Sequence, residues 1–284
     1  MSRVPQAIIE GLWAGEIIPY LGSGVLGLGS GTTVPDSPEQ LAQYLTSRVT
    51  VPHKIRRNLT AAGQYIENFK HRKTLTGLLT EAFRERTEPT VLHRFLAQKS
   101  NSLPLIVDVW YDAAMADALA DRGDFGQVQG VSQADGPGEW VRYYGADGSP
   151  ADPAAAEQWA TLLYKPLGAV LPASHFVVSD SDYVEILTEI DIQTPIPPRV
   201  QELRRGRRFL FLGCRFRTQL ERSFARQIVK RSSSQHWALL EGELTRNEAR
   251  FLAEQGIERI DMPLAEFVAE LMEASSASPR AEVA

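Results

Sequence analysis

The first apolar strand of the chain has the sequence Ile17-Ile18-Pro19-Tyr20-Leu21, and it continues directly into Gly22-Ser23-Gly24-Val25-Leu26-Gly27. Its three glycines have the spacing G-x-G-x-x-G, which lets a backbone turn tightly and lets a diphosphate approach the amide groups. A helix that begins after such a turn contributes partial positive charge from its N-terminus. The alternative is an ordinary glycine-rich turn between a strand and a helix.

The residues that follow do not fit the dinucleotide fingerprint of ordinary dehydrogenases. That fingerprint requires an acidic residue at the end of a second strand, about 20 residues further on. Here the region reads Asp36-Ser37-Pro38-Glu39, in which Ser37 is a typical helix N-cap and Pro38 a typical first helical residue. The glycine motif therefore indicates a different nucleotide-binding fold.

Composition excludes several classes of protein. The 284 residues carry a formal net charge of -5, which gives no electrostatic footprint for nucleic acid. Cys214 is the single cysteine, so an internal disulfide and a cysteine-rich zinc site are excluded. No apolar run approaches about 18 residues, and the N-terminus lacks the pattern of a signal peptide. We expect no membrane contact and a cytoplasmic location.

Helical and strand patterns alternate along most of the chain, which predicts an α/β fold with a doubly wound, mostly parallel sheet and Rossmann-like topology. We expect one domain over residues 1–274 and a flexible tail over 275–284. A helical subdomain is expected at about 50–100 and a loop-rich insertion at about 121–158. Further strands are predicted at 103–110, 162–168, 174–179, 207–213, 236–240 and 257–261.

In such sheets a ligand binds beyond the carboxyl ends of the strands. Four strand ends therefore form the candidate site, and each has a motif: Leu21-Gly22-Ser23-Gly24 with Val34-Pro35-Asp36, Val107-Asp108-Val109-Trp110-Tyr111-Asp112, Tyr164-Lys165-Pro166-Leu167-Gly168, and Phe209–Phe216. In this order they resemble the G-A-G and G-[IL]-P segments, the T-T-N-Y-D and K-L-H-G motifs and the G-[YT]-S strand end of the sirtuin-like family. The resemblance is closest to the bacterial branch associated with NAD+ degradation in phage defence.

The resemblance implies NAD+ or ADP-ribose as ligand or substrate, and no metal. The residues that it assigns to the ligand are Gly22, Ser23, Gly24, Asp36, Trp110, Asp112, Gly168, Gly213, Cys214 and Arg215. Trp110 stands where the family has an asparagine and Leu167 where it has a histidine, and neither side chain transfers protons. The zinc-binding cysteines of the deacylase branch are absent, which argues against a protein deacylase.

Several side chains at or near these strand ends also have a structural alternative. Asp112 can be a helix cap, and Trp110 can fill the pocket rather than stack on a ligand. Arg215 can form a salt bridge rather than bind a phosphate, while Cys214 is more typical of packing than of a nucleophile. His175 is a possible substitute base, although a histidine in a strand is more often structural.

Three functions follow. The first is a non-catalytic, nucleotide-sensing or regulatory module that binds NAD+ or ADP-ribose. The second is an NAD+ hydrolase with an altered site, in which Asp112 is catalytic and stabilises the developing ribosyl cation. The third is a scaffold without ligand, which predicts that no pocket exists near Asp112. A protein partner or a homo-oligomer is compatible with each.

Overall fold

The computed structural model describes residues 3–189 and 195–277. The strands are β1 (Ile17–Leu21), β2 (Leu105–Asp108), β3 (Phe125–Gly130), β4 (Val141–Gly145), β5 (Thr161–Lys165), β6 (Gly168–Ala169), β7 (His175–Phe176), β8 (Arg208–Leu212), β9 (His236–Leu239) and β10 (Ile257–Ile260). The α-helices are α1 (Gln6–Trp13), α2 (Pro38–Arg48), α3 (Leu59–Lys70), α4 (Arg72–Ala82), α5 (Val91–Gln98), α6 (Ala114–Leu119), α7 (Asp180–Glu189), α8 (Pro198–Leu203), α9 (Gln219–Val229), α10 (Arg246–Glu254) and α11 (Leu264–Ala277).

Eight of the described strands form one sheet in the order β10-β9-β8-β1-β2-β5-β3-β4. All neighbouring pairs are parallel except β3 and β4, which are antiparallel. Strands β1, β2 and β5 are buried along their whole length, as strands covered by helices on both faces must be. The predicted α/β fold with a doubly wound, mostly parallel sheet is confirmed.

Alternate residues of the central strands face two separate hydrophobic clusters. Ile18 and Tyr20 of β1 join the cluster that includes residues of α2, α3 and α4, whereas Ile17 and Leu21 join the cluster that includes α1, α5 and α11. The period of two along the strand thus places helices on both faces. Residues 50–100, where the helical subdomain is predicted, contain α3, α4 and α5. Helices α3 and α4 contribute to the first cluster, and α5 contributes to the second.

The predicted start of α2 is confirmed in detail. The Ser37 hydroxyl accepts a hydrogen bond from the backbone N–H of Gln40 at 3.4 Å, and Pro38 is the first helical residue. This cap fixes the point at which the segment after the glycine motif enters the helix, because the cap satisfies an amide that has no partner inside the helix.

Three details differ from what the sequence predicts. The loop-rich segment expected at about 121–158 also contains β3, a fully buried strand between β5 and β4. The strand predicted at 174–179 is reduced to His175–Phe176, which pairs with β6 in a separate two-stranded sheet. The final helix α11 continues to Ala277, past the expected start of the tail at 275, while residues 278–284 lie outside the described residues.

The reason for β3 is contact from distant parts of the chain. A Cβ atom at Gly126 would collide with the indole of Trp159, so this ring covers the strand where a side chain is missing. The side-chain amides of Gln127 and Gln129 both donate to the carbonyl oxygen of Leu171, at 2.9 and 2.6 Å. These contacts allow a polar sequence to be buried.

Candidate functional site

Four neighbouring parallel strands, β8, β1, β2 and β5, end at the same edge of the sheet. Leu212 pairs with Leu21, and Leu21 pairs with Asp108. The register of β2 and β5 then brings Lys165 beside Asp108. The topology therefore gathers all four predicted strand ends at one edge, as expected for a ligand site in this class of sheet.

The glycine segment after β1 packs backbone against backbone on the segment after β8. A Cβ atom at Gly22 would lie 2.5 Å from the carbonyl oxygen of Gly213, and one at Gly213 would lie 2.5 Å from the amide nitrogen of Val25. Gly213 also has a φ of +66°, a conformation that favours glycine. Packing between the two segments therefore requires these glycines whether or not a ligand binds.

Amide groups of this segment already have partners inside the protein. Gly22 N–H donates to the carbonyl oxygen of Leu212 at 2.9 Å, and Gly24 N–H donates to that of Gly213 at 3.0 Å. Ser23, which is half-buried, begins a short 3-10 helix (Ser23–Leu28) instead of an α-helix. In this conformation the amides of Gly22 and Gly24 are not available to a diphosphate.

The two residues after Gly213 have structural roles. Burial raises the pKa of the Cys214 thiol well above its ordinary value, and its Sγ lies 3.5 Å from the carbonyl oxygen of Leu212. Arg215 Nε lies 3.2 Å from Oε1 of the buried Glu248, and another guanidinium nitrogen donates to the carbonyl oxygen of Glu241 at 2.9 Å. The packing and salt-bridge alternatives therefore hold for both residues in this conformation.

Trp110 fills the space beside the end of β2. Its indole ring is 5% exposed and contacts the rings of Phe83 and Tyr111, with centroids 5.9 and 5.1 Å apart. Its Nε1 donates to the carbonyl oxygen of Pro35 at 2.8 Å, and Asp36, the next residue, is half-buried. The indole thus packs as a plug under the segment that the glycine motif begins.

An ion pair that the sequence analysis missed lies at the ends of β2 and β5. Lys165 Nζ is 2.6 Å from Oδ2 of Asp108, and the two side chains are 1% and 4% exposed. Oδ1 of Asp108 accepts the backbone N–H of Trp110 at 3.0 Å. Burial raises the pKa of Asp108 to about 6, an effect that Asp112 reinforces and Lys165 opposes.

Asp112 combines a helix cap with a place on a cavity wall. Its Oδ1 accepts the backbone N–H of Ala114 at 2.8 Å, and the residue lines a cavity of about 190 Å³. Arg84 and Glu85 of the α4–α5 connection and Ser174 of the β6–β7 hairpin line the same cavity. The volume is below the roughly 300 Å³ at which ligand pockets begin, so a whole dinucleotide does not fit in this conformation.

The buried imidazole of His93 is affected by the charges of Asp112 and Lys165. Its Nδ1 accepts the backbone N–H of Thr90 at 3.1 Å, which closes a capping box at the start of α5. Burial lowers its pKa to about 4, while Asp112 raises it and Lys165 lowers it further. His93 is therefore neutral at pH 7. The sequence signal that could have identified this capping role is the spacing T-x-x-H at the start of a helix. The sequence shows no spacing of metal-ligating residues around it.

The segment after β5 is shaped by packing. Leu167 is buried in the core. Gly168 has a φ of +81°, and a Cβ atom at this position would collide with the carbonyl oxygen of His175. His175 Nε2 is 2.9 Å from an Arg142 guanidinium nitrogen, and burial lowers the pKa of this histidine, with Arg142 adding to the effect. The structural alternative for His175 therefore fits better than that of a base.

The predicted residues thus fall into two groups. Gly22, Gly24 and Gly213 contact one another at the ends of β1 and β8, whereas Asp112 lies on the cavity beyond β2 and β5. Trp110 lies between the two groups: its indole N–H donates to the carbonyl oxygen of Pro35 on one side, and its ring contacts Phe83 on the other. Within residues 3–189 and 195–277, no set of three histidine, cysteine or acidic side chains is arranged to hold a metal ion. None of the helices described there combines the length and apolar character needed to cross a membrane.

Comparisons with known proteins found one family model that matches the chain and a solved structure that is similar to it. The family model described as SIR2-like domain matches residues 104–260, which is more than half of the chain and begins after the glycine segment. A solved structure described as "Structural Basis for the Mechanism and Regulation of Sir2 Enzymes" is 11% identical in sequence, with a TM-score of 0.41 and 95% of each chain covered. No curated protein matches the sequence.

Proposed function

The chain belongs to the SIR2-like domain family, and from this premise we propose that it binds NAD+ or ADP-ribose at the carboxyl ends of β1, β2, β5 and β8. We propose further that it acts as a nucleotide-sensing or regulatory module and does not turn the ligand over. A protein partner or a second copy of the chain would receive the signal.

The observation that carries the proposal is the cavity beside Asp112. A scaffold that had lost its ligand would have this edge of the sheet filled, yet a space of about 190 Å³ remains where two strands end. Most of its lining residues are polar or charged, and they include Asp112, Arg84 and Ser174. Polar residues that converge on one cavity can fix the orientation of a small ligand.

The absence of turnover is supported by the two substituted positions. The resemblance places Trp110 and Leu167 where the family has an asparagine and a histidine, and both residues are buried in the hydrophobic core. Neither can accept or donate a proton at a reacting centre. His93 is buried and its Nδ1 already accepts the backbone N–H of Thr90, so it does not replace the lost base.

The test compares two substitutions with the same local chemistry. Asp112→Asn keeps an oxygen that can accept the N–H of Ala114, so the cap survives while the negative charge is lost. Asp152→Asn is the matched control, because exposed Asp152 makes the same contact with Ala154 N–H at 2.8 Å, away from the cavity lining.

We expect NAD+ and ADP-ribose to raise the melting temperature of the unaltered protein and of Asp152→Asn, and to have little effect on Asp112→Asn. Released nicotinamide, measured by chromatography over hours, should stay at the level of the buffer. If neither nucleotide changes the melting temperature of the unaltered protein, the chain is a scaffold and the proposal is wrong.

One observation favours a second candidate, an NAD+ hydrolase, which the resemblance connects with phage defence. Glu85 and Asp112 line the same cavity, and two carboxylates are what hydrolysis of a glycosidic bond commonly uses. Asp112 would stabilise the ribosyl cation as the bond to nicotinamide breaks, while Glu85 would take a proton from the attacking water. Nicotinamide release that disappears in both Asp112→Asn and Glu85→Gln would establish this function in place of the first.

A further inference from the structure

The hairpin formed by β6 and β7 contributes one part of the wall of the cavity beside Asp112. Val170, Leu171 and Ser174 in the turn of this hairpin line the cavity together with residues 83–87 of the α4–α5 connection. Because Leu171 both lines the cavity and is 38% exposed, its side chain lies where the cavity opens to solvent. The hairpin therefore supplies a large apolar side chain to the opening of the candidate site.

Two buried side chains of the main sheet hold the backbone of Leu171. The side-chain amides of Gln127 and Gln129 both donate to its carbonyl oxygen, at 2.9 and 2.6 Å. The two glutamines are 3% and 0% exposed, and they lie on one face of β3 because side chains two residues apart in a strand point the same way. A carbonyl oxygen has two lone pairs, so it can accept both bonds at once. The turn of the hairpin is thus fixed from inside the sheet.

Other hydrogen bonds hold the two arms of the hairpin. The backbone N–H of Val170 donates to the carbonyl oxygen of Tyr111 at 2.8 Å, and the Tyr111 hydroxyl donates to the carbonyl oxygen of Val177 at 2.9 Å. These bonds attach the hairpin to the end of β2, whereas the two glutamine amides attach the turn that carries Leu171. Loss of the glutamine donors should therefore move the turn and leave the arms in place.

Burial of β3 does not by itself require glutamine. An amide in a buried strand costs desolvation free energy that only hydrogen bonds recover, and an apolar side chain of similar length avoids that cost. Within residues 3–189 and 195–277, Oε1 of Gln129 is buried and has no hydrogen-bond partner, so part of the cost is not recovered. The task that the structure shows for the two amide donors is to hold the carbonyl oxygen of Leu171.

We propose that Leu171 is a specificity-determining residue of the cavity and that Gln127 and Gln129 are the positioning residues that hold it there. The proposal rests on the proposed function, because it concerns which part of the nucleotide the same site accepts. Leu171 presents an apolar surface at the opening, so it packs against a ring of the ligand. A phosphate group against this side chain would lose water without gaining a partner, so this part of the wall selects a ring over a charged group.

The first test is amide hydrogen exchange, measured by mass spectrometry on the full chain without nucleotide. In the double variant Gln127→Met with Gln129→Met, linear apolar side chains keep the volume and lose both donors. Each single variant should accelerate exchange in residues 168–177 roughly two- to tenfold, and the double variant roughly four- to hundredfold, because one or two hydrogen bonds are lost. Gln201→Met is the matched control, since the Gln201 amide donates to the carbonyl oxygen of Ile196 at 2.8 Å, away from the cavity lining.

Two results of this test would overturn the proposal. Exchange that accelerates equally in β3, β5 and the hairpin would show that the glutamines serve only the stability of the sheet. Unchanged exchange in the hairpin would show that its other contacts are enough to hold it. If the double variant folds poorly, the two single variants give the answer, because each keeps one donor to Leu171.

The second test measures the dissociation constants of NAD+ and ADP-ribose by titration calorimetry. Leu171→Ala keeps the carbonyl oxygen that the glutamines hold and removes most of the apolar surface, so the nucleotide that the unaltered protein binds should bind roughly tenfold more weakly. Val184→Ala, at an exposed position of α7 outside the cavity lining, is the control and should leave the affinity unchanged. The double glutamine variant should lose a similar factor, and restoring either glutamine should recover most of it, which a role in stability alone would not produce.

The two tests together separate this proposal from the proposed function. Equal nucleotide affinity in the unaltered protein, in Leu171→Ala and in the double variant would support that function and overturn the role of Leu171. Faster hairpin exchange in the double variant, with no binding of NAD+ or ADP-ribose to any of the proteins, would support the positioning of Leu171 and contradict the nucleotide function. Weaker binding in both altered proteins, with faster hairpin exchange in the double variant, is the result that we expect.

Discussion

Replacing His93 by glutamine should remove this residue's share of the acid sensitivity of the fold. His93 is buried, and its pKa falls from an ordinary 6.5 to about 4 because burial disfavours the imidazolium. The unfolded chain therefore takes up a proton first as the pH falls, and stability is lost between pH 6.5 and pH 4. From pH 7 to pH 5 this loss is about 2 kcal/mol for the one side chain.

Glutamine suits this position because the third residue of a helix can return a side-chain oxygen to the N-cap N–H, here that of Thr90. Urea unfolding followed by circular dichroism at pH 7, 6 and 5 gives the free energy of unfolding for each protein. Asp108, with its pKa raised to about 6, changes stability in the opposite direction, losing it as the pH rises from about 4 to 6. That contribution is common to both proteins and cancels in the difference.

We expect His93→Gln to lose about 2 kcal/mol less than the unaltered protein between pH 7 and pH 5. His53→Gln, at an exposed position, is the matched control and should follow the unaltered protein. Parallel curves for the unaltered protein and His93→Gln would refute the reasoning, because they would show that the imidazole is not held neutral by burial.

Two further predictions concern the strand ends. Lys165→Met leaves the Asp108 carboxylate buried without its partner, so the free energy of unfolding measured in urea at pH 7 should fall by about 3–5 kcal/mol. The double variant Lys165→Met with Asp108→Asn should lose less than the sum of the two single losses. Additive losses would contradict a coupled pair. Gly213→Ala should lower the free energy of unfolding by roughly 2–4 kcal/mol, because the φ of residue 213 is +66° and the added methyl group would press on the Val25 amide. Gly27→Ala, the control, should stay within about 0.5 kcal/mol of the unaltered protein. Equal stabilities of the two variants would show that the contact between Gly213 and Val25 is not tight.

Elements with local signals were predictable from the sequence. The run Ile17–Leu21 has no polar residue, and Ser37 followed by Pro38 fixes the start of α2 by short-range chemistry. β3 has the sequence Phe-Gly-Gln-Val-Gln-Gly, in which glycine and glutamine outnumber the apolar residues. Its burial depends on Trp159 and on the carbonyl oxygen of Leu171, and such distant contacts override local preference.

The candidate site was predictable in place but not in detail. The order of strands and helices was enough to predict that the four strand ends meet, since parallel topology brings them to one edge. The Lys165–Asp108 pair joins residues 57 positions apart, and it follows from the register of β2 and β5. The sequence also could not show whether Arg215 binds a phosphate or pairs with Glu248, because the two roles differ only in the orientation of the arginine side chain, and the fold sets that orientation.

The buried ion pair at the ends of β2 and β5 bears on the proposed function. Deeper in the sheet, the apolar residues Ile17, Ile106 and Leu163 lie on the face where Asp108 and Lys165 lie at the strand ends. A buried ion pair gives little net stability, since well-packed apolar residues of similar size are often as stable or more so. Asp112 adds a second carboxylate nearby, which raises the pKa of Asp108 and so acts against the ionised pair. Under the proposed function the pair has a positioning role, because Asp108 holds the backbone N–H of Trp110 beside the site while Lys165 neutralises the Asp108 carboxylate.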